Sequence, residues 1–528
     1  MSATAAVAAP VPLPARTHYP LVGVAAVVIA AFVSTLNTRI TTFGLADIRG
    51  GLGLGFDEAS WLTSVFSASQ MLITPAAAWL STVIGARRLL IWSVLIFGLA
   101  SLLVPLSGNY AEVITLQAIR GLSVGTFIPT TLGFILRAMP PRWWIWGIAA
   151  YAFRFVFSQN VASSLEAFYS ETGHWQWIFW QNVALAPLLL VLICLGMPNQ
   201  PVDRDLLRRT DWGGMMFAGL GFGLLYAGID QGNRLDWLNS GLVIGLLLGG
   251  GILILAFFVN EALVKFPLIH LGIASQRYVW VPAVLITVYG FGTTATAFVL
   301  PDYLTRVQGL RALQIGDVLN WIALPQFVLV PAIALVLRWI DARLLIALGF
   351  AIIAVGSWMD AGLTHDWANA DFLPSQIVEA AGLALAVTAL VTFAVANITP
   401  PQAAAIAATI QTSRLFGAEL GSAFIQTFVR TREQFHSNLI EQHLASGSDL
   451  VERMIATVSA GFADRPGLGD GTAQALLTIG ARVQHESYVL AYIDAFWVIA
   501  WVLAGAILLL LLLRPPPPNP LTPPRMKV

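Results

Sequence analysis

The sequence predicts an all-α polytopic membrane protein, and three observations carry that prediction. Of its 528 residues 57% are hydrophobic and only 11% are charged, against about 25% charged residues in a soluble chain. Apolar stretches long enough for a spanning helix, about 20 residues, recur along the sequence. A segment of the first half also returns in the second: PAAAWLSTVIGARRL at 75–89 and PAIALVLRWIDARLL at 331–345 share seven identities at a constant offset of 256.

The apolar stretches, bounded by Gly, Pro or charge clusters, place helices at 21–43, 58–80, 89–107, 111–136, 143–169, 177–197, 212–231, 239–260, 279–301, 315–337, 344–363, 374–396, 403–429 and 488–513. The first follows Arg16 with no A-x-A site behind it, so it reads as an uncleaved span. Short loops keep Lys and Arg on the cytoplasmic side. With the N-terminus inside, the inner segments hold 15 of them, and the short outer loops hold four: Arg49, Arg234, Arg306 and Arg311. Both termini are therefore expected to be cytoplasmic, and Trp143, Trp144 and Trp146 to form an aromatic belt at the inner interface.

The repeat joins the second helix to the tenth, so two helices are inserted between two six-helix bundles. The expected organisation is an N-terminal cytoplasmic tail at 1–20, a bundle at 21–197, loops and two inserted helices at 198–278, a second bundle at 279–513 and a proline-rich cytoplasmic tail at 514–528. Parallel repeats of this kind hold a transporter's substrate between them near the midplane. Within the second bundle, residues 430–487 carry 12 charges in 58 residues. Helical spacing of Phe435, Leu439 and Leu444, then Asp449 and Glu452 at capping-box spacing, predict a helical hairpin outside the membrane.

Composition also excludes. The 28 basic and 28 acidic residues cancel, so no field advertises a nucleic-acid partner. Cys194 is the sole cysteine, which removes disulfides and cysteine metal clusters and leaves a residue expected to be a small buried hydrophobe. The chain has no G-x-x-x-x-G-K-[ST] and no H-E-x-x-H, and its histidines do not cluster within the spans. Neither an enzyme nor a cofactor or metal is expected, and ATP is not the expected drive.

Charges placed deep in the spans are the candidate machinery, because a charge at mid-membrane costs at least about 2.5–3.5 kcal/mol on insertion scales. Arg39, Arg120, Arg154 and Arg414 fall there with Glu419. Asn37, Gln117, Gln159 and Asn160 add hydrogen-bonding groups for a substrate cavity. Glu419 is the deepest carboxylate and the first candidate for proton coupling. Glu379 is a second, nearer the outer end of its helix, and it, Glu166 and Asp230 read as interfacial charges. Four deep cations against one anion predict a cationic cavity and an amphipathic acid or neutral compound as substrate.

These residues resemble the major facilitator superfamily, and within it the fourteen-helix drug:proton antiporters of the EmrB/QacA type. The resemblance rests on LNTRITTFGLADIRGGLG at 36–53, Trp61, IGARRLL at 84–90, HWQWIFWQNVALAPL at 174–188 and TIQTSRLFGAELGSAF at 409–424. RTREQFHSNLIEQ at 430–442 is similar to the Gram-negative EmrB branch. That resemblance implies two six-helix bundles plus two inserted helices, export of amphipathic compounds or drugs across a bacterial inner membrane by proton antiport, and a HlyD/EmrA-type periplasmic adaptor with an outer-membrane channel. It also implies a gating loop at Gly85, Arg87 and Arg88, repeated at Asp341 and Arg343; the loop lacks the family's usual acid, so its latch is expected to be either weaker or made through Asp341. Three positions depart from the family: Asn37 stands where relatives carry an acid, Gln117 and Arg120 exchange the usual order of arginine and glutamine, and the glycine-proline motif of the fifth helix is replaced by a stretch holding Arg154, Gln159, Asn160 and Glu166. An uncoupled facilitator or importer, and a transport-inactive scaffold that binds an adaptor through its hairpin, fit the same residues.

Overall fold

A backbone in hydrocarbon must satisfy its own polar groups, and helices do so within one segment. The computed structural model describes residues 19–268, 271–396, 403–445, 449–463, 471–515 and 521, and every regular element among them is helical. The expected tails at 1–20 and 514–528 lie almost wholly outside the described residues.

The chain opens with α1 (Pro20–Phe43), a short α2 (Leu45–Leu52), then α3 (Phe56–Leu80) and α4 (Ala86–Leu103), joined by a π-turn over Ser81–Gly85. A break at Gly125 divides α5 (Tyr110–Val124) from α6 (Phe127–Ala138), and α7 (Trp144–Glu171) and α8 (Trp177–Gly196) follow. The short α9 (Arg204–Arg208) leads to α10 (Trp212–Gly232) and α11 (Gly241–Leu263), then to the single turn α12 (Leu271–Ala274). A π-turn over Ala295–Val299 joins α13 (Arg277–Gly292) to α14 (Leu300–Arg306), and Pro325 separates α15 (Ala312–Ala323) from α16 (Gln326–Val336). The rest is α17 (Ala342–Asp360), α18 (Leu373–Ala396), α19 (Ala403–Ala445), α20 (Asp449–Ala463) and α21 (Gly471–Leu509). The sequence reading ran its fourth and tenth helices straight through the breaks at Gly125 and Pro325. Proline lacks the N–H that would continue the ladder.

Among the described residues, eleven segments are long and apolar enough to cross a membrane. The run Phe56–Leu106 counts once although it holds both α3 and α4, and the charge-bearing helices α7 and α19 are not counted. Aspartates start three helices on the face that carries most of the loop arginines. Asp203 accepts from the Leu206 N–H at 2.9 Å, Asp211 from Gly214 at 2.8 Å and Asp341 from Arg343 at 2.9 Å. A carboxylate there satisfies orphan amides and meets the positive end of the helix dipole. We call this the basic face.

The crossing of α13 and α19 fixes the depth of Arg414 and Glu419. A side chain on Gly417 would collide with the Thr287 carbonyl, and one on Gly421 would lie 2.9 Å from the Phe291 Cα. This is the G-x-x-x-G spacing that lets two helices in a membrane approach through their backbones.

Beyond the membrane-length part of α19 the structure has one more helical arm than the expected hairpin. The helix continues to Ala445, α20 returns, and α21 begins at Gly471 rather than at 488, so three helical arms stand together. Arg432 Nε and His436 Nε2 both meet Asp494 Oδ2, at 2.6 and 2.8 Å, and tie α19 to α21. Phe435 and Leu439 remain exposed on the arm. Cys194, expected to be buried, is exposed on α8. The apolar run around it is an outward-facing surface, and in a membrane protein that surface meets lipid.

Gly417→Leu is expected to force α13 and α19 apart, at an overpacking cost of about 1–3 kcal/mol. Gly251→Ala, where nothing lies within 4 Å of the added carbon, should be neutral. Thermal unfolding of the two purified variants in detergent checks the contrast.

Candidate functional site

A cavity of about 210 Å³ lies where helices from the two ends of the chain meet. On one side α1 contributes Thr35, Thr38, Arg39 and Thr42, α3 contributes Thr63, Ser67 and Gln70, and α7 contributes Gln159. On the other, Thr293, Thr294, Ala297 and Phe298 follow the end of α13, and α19 presents Arg414, Leu415, Ala418, Glu419 and Ser422. Helix α10 fills the remaining wall with Tyr226 and Asp230.

The charges in this wall are balanced, which corrects the expected cationic cavity. Arg39 and Arg414 face it with Asp230 and Glu419. Arg39 Nη2 donates to the Ala297 carbonyl at 2.6 Å, a bond from the first helix to the π-turn after α13, and its guanidinium lies over the Phe43 ring. Arg414 donates to Gln411 Oε1 at 3.3 Å and stands 4.3 Å above the Phe155 ring. Glu419 shares the cavity wall with Tyr226 and Asp230. Arg154 sits just behind this surface, its Nη1 donating to the cavity residue Thr35 at 2.8 Å and its guanidinium over Tyr151.

The other polar candidates are framework. Arg120 is fully buried away from the cavity. It donates to Asn37 Oδ1 and Ser101 Oγ, each at 2.9 Å, and to Gln117 Oε1, and lies over the rings of Phe179, Phe66 and Phe97. Asn37 and Asn182 exchange a reciprocal pair of amide hydrogen bonds at 2.8 Å, so Asn37 joins α1, α5 and α8. Asn160 turns its amide back to the Val156 carbonyl at 2.8 Å. Exchanging the order of Gln117 and Arg120 keeps both on one helix face, where they bond to each other.

Glu379 is also displaced from its expected place. It is 1% exposed, not interfacial, and faces Asp360 between α17 and α18, with Ser357 donating to it at 3.1 Å. That pair lies apart from the cavity. Glu166, expected at the interface, is equally buried and accepts from Ser170 at 2.7 Å. Sequence reasoning missed Asp230 and Tyr226 as site residues because Asp230 stands near the end of its helix. The available signal was Asp230 as the lone acid of the apolar run 212–232, one helical turn after Tyr226.

The Major Facilitator Superfamily signature matches residues 27–422. The chain belongs to the Major Facilitator Superfamily. This transporter is 23% identical over 475 residues to the multidrug export protein EmrB of Escherichia coli K12, covering 89% of this chain and 91% of that one. It is 24% identical over 487 residues to the fatty acid resistance protein FarB of Neisseria gonorrhoeae, covering 91% and 92%. Among solved structures it superposes on the human organic anion transporter MFSD10 with a TM-score of 0.55 at 12% identity, covering 92% and 99% of the two chains. On the proton:xylose symporter XylE the TM-score is 0.53 at 14% identity, covering 93% and 95%. Those structural likenesses establish the fold.

The repeated loop of the transporter is asymmetric in detail. Gly85 ends the π-turn at φ +87°, a conformation open to glycine. Its counterpart Asp341 has ordinary extended geometry and caps α17. Asp341 pairs with Arg343 at 2.8 Å, two residues along its own helix, and does not reach Arg87 or Arg88. Burial alone would raise the Asp341 carboxyl, but hydrogen bonds from the Arg343 side chain and backbone, with its charge, hold it below the usual carboxylate range. Arg343 also donates to the Leu513 carbonyl at 3.1 Å. The expected latch through Asp341 is therefore a clasp within the C-terminal helices.

Asn37→Leu should strip Arg120 and Asn182 of buried partners, at about 1–3 kcal/mol for each group left unsatisfied. Gln159→Leu, on the cavity wall, should change transport with little effect on unfolding temperature. Paired melting and transport measurements on the two variants check the division between framework and cavity.

Proposed function

We propose that this protein exports amphipathic organic compounds, hydrophobic acids among them, from a bacterial cytoplasm across the inner membrane in exchange for protons. The observation that carries the reading is the cavity itself, enclosed between helices from the two ends of the chain and lined by charges of both signs. Its volume of about 210 Å³ is below the roughly 300 Å³ of a small-molecule pocket, so a substrate enters only when the helices on its two sides separate. That requirement fits alternating access by rocking of two bundles about a shared site.

The proposed organisation has fourteen spans, obtained by counting α3 and α4 separately and adding α7 and the first part of α19 to the remaining segments. Bundles at 21–197 and 279–513 then flank the inserted pair in 198–278, and the basic face with both termini is cytoplasmic. Asp230 and Glu419 share one cavity wall, and two neighbouring carboxyls favour holding a proton between them. With that proton held, Arg39 and Arg414 outweigh the one remaining negative charge, which supports an acidic substrate, as does the name of the relative FarB. Glu419 is the proposed coupling residue. The three arms at 430–487 are the proposed seat of a periplasmic adaptor leading to an outer-membrane channel, and Phe435 and Leu439 give them an apolar surface to offer. A facilitator is the second reading, favoured by the neutral amide Asn37 beside Arg120.

Proteoliposomes with an imposed pH gradient separate these readings. Gradient-driven uptake of a dansyl-labelled fatty acid is expected, abolished by a protonophore and by Glu419→Gln. Uptake that only equilibrates and ignores the protonophore would establish the facilitator instead, and transport of ethidium without any acid would overturn the substrate class.

A further inference from the structure

The inserted helix α10 touches helices from both ends of the chain. Against α19 it sets Asp230 and Tyr226 beside Glu419, and just beyond its end Trp237 Nε1 donates to Thr427 Oγ1 at 2.9 Å. Against α3 it carries a ladder of polar groups. Asp230 Oδ2 accepts from Ser64 Oγ and, at 3.2 Å, from Gln231 Nε2. Gln231 Oε1 accepts from Arg234 Nε at 2.6 Å, and Arg234 forms an ion pair with Asp57, whose side chain is 84% exposed on the face opposite the basic one. One hydrogen-bonded series thus runs from Asp230 at the cavity to solvent along the seam between α10 and α3.

The cations around the two carboxyls are otherwise engaged. Arg39 from α1 holds the Ala297 carbonyl, and Arg414 from α19 holds Gln411 and the Phe155 ring. Arg234 acts on Asp230 from above but is bonded to Gln231 and Asp57. Two carboxyls that face one cavity, neither of them in an ion pair among the described residues, are stable when they share a proton.

We infer that α10 completes the coupling site: Asp230 and Glu419 hold one exchangeable proton between them, and the Asp57–Arg234 ion pair closes the route from that proton to the face opposite the basic loops. The inference rests on the proposed role of Glu419. In the exchange only O–H bonds change. With Arg234 swung aside, hydronium at the opposite face gives a proton to Ser64 Oγ, whose own proton passes to Asp230 Oδ2 and is shared with Glu419. On the basic face, after the helices have rocked, the proton leaves to water and substrate takes the cavity.

Two measurements on the full-length protein test this. In proteoliposomes, Asp230→Asn should lower gradient-driven uptake of the dansyl-labelled fatty acid by about tenfold or more, as Glu419→Gln does, and the double variant should be no worse than either single one, as for residues acting as a unit. Downhill movement of the probe should persist in all three. Loss in Glu419→Gln with wild-type uptake in Asp230→Asn would overturn the role of α10 and leave the proposed function standing, whereas uptake intact in both would overturn the two together. Without any substrate, a water-soluble carbodiimide read by peptide mass spectrometry should label Asp230 or Glu419 several-fold more in Arg234→Gln and in Asp57→Asn than in the wild type. Equal labelling in all three proteins would overturn the closure, and this arm keeps the test decisive if Asp230→Asn fails to fold.

Discussion

Ionic groups removed from water must be compensated by whatever lies within reach, and this one constraint organises the interior of the protein. Among the described residues none of the four deep arginines forms an ion pair. Each is held by neutral dipoles and by an aromatic face: Arg120 by two amides, a hydroxyl and three rings, Arg154 by Thr35 and Tyr151, Arg414 by Gln411 and Phe155, Arg39 by a backbone carbonyl and Phe43. Guanidinium is suited to this, being planar, weakly hydrated and able to donate in several directions while stacking on a ring. The acids found another solution. They lie in twos, Asp230 with Glu419 and Asp360 with Glu379, and two acids together accommodate a proton rather than an arginine.

This separation of the basic and acidic groups divides framework from machinery. A guanidinium caged by fixed amides, as at Arg120, has one arrangement and holds α1, α5 and α8 in register. Carboxyls that face each other across two helices have more than one, because moving either helix alters how firmly the proton is held. The cavity contains both kinds, Arg39 and Arg414 with Asp230 and Glu419, and it lies between helices from the two ends of the chain.

Much of this was legible in the sequence. The alternation of apolar runs and basic loops places nearly every helix within a few residues. Glu419, Arg39, Arg414 and Gln159 were named from depth alone and do line the cavity. Depth could not say which way a side chain points around its helix axis, so Asn37, Gln117, Arg120 and Asn160, at similar depth, were grouped with them and proved to be framework. Position along a helix misled in the opposite sense for Asp230, Glu166 and Glu379, which stand near helix ends that other helices cover. The outward continuation of α19 shows in the helical spacing of Phe435, Leu439 and Leu444, whereas the early start of α21 does not show, because a helix outside a membrane needs no apolar run.

The length of α19 has a mechanical meaning. Its 43 residues form a rod of about 65 Å at 1.5 Å per residue, crossed by α13 at Gly417, so Glu419 lies close to the fulcrum and Ala445 about 42 Å from it. A tilt of about 10° around that fulcrum would scarcely displace the carboxyl yet would swing the far tip by about 7 Å. Small adjustments beside the cavity would thereby be magnified at the far end of the arm, and anything seated there would receive a mechanical report of them.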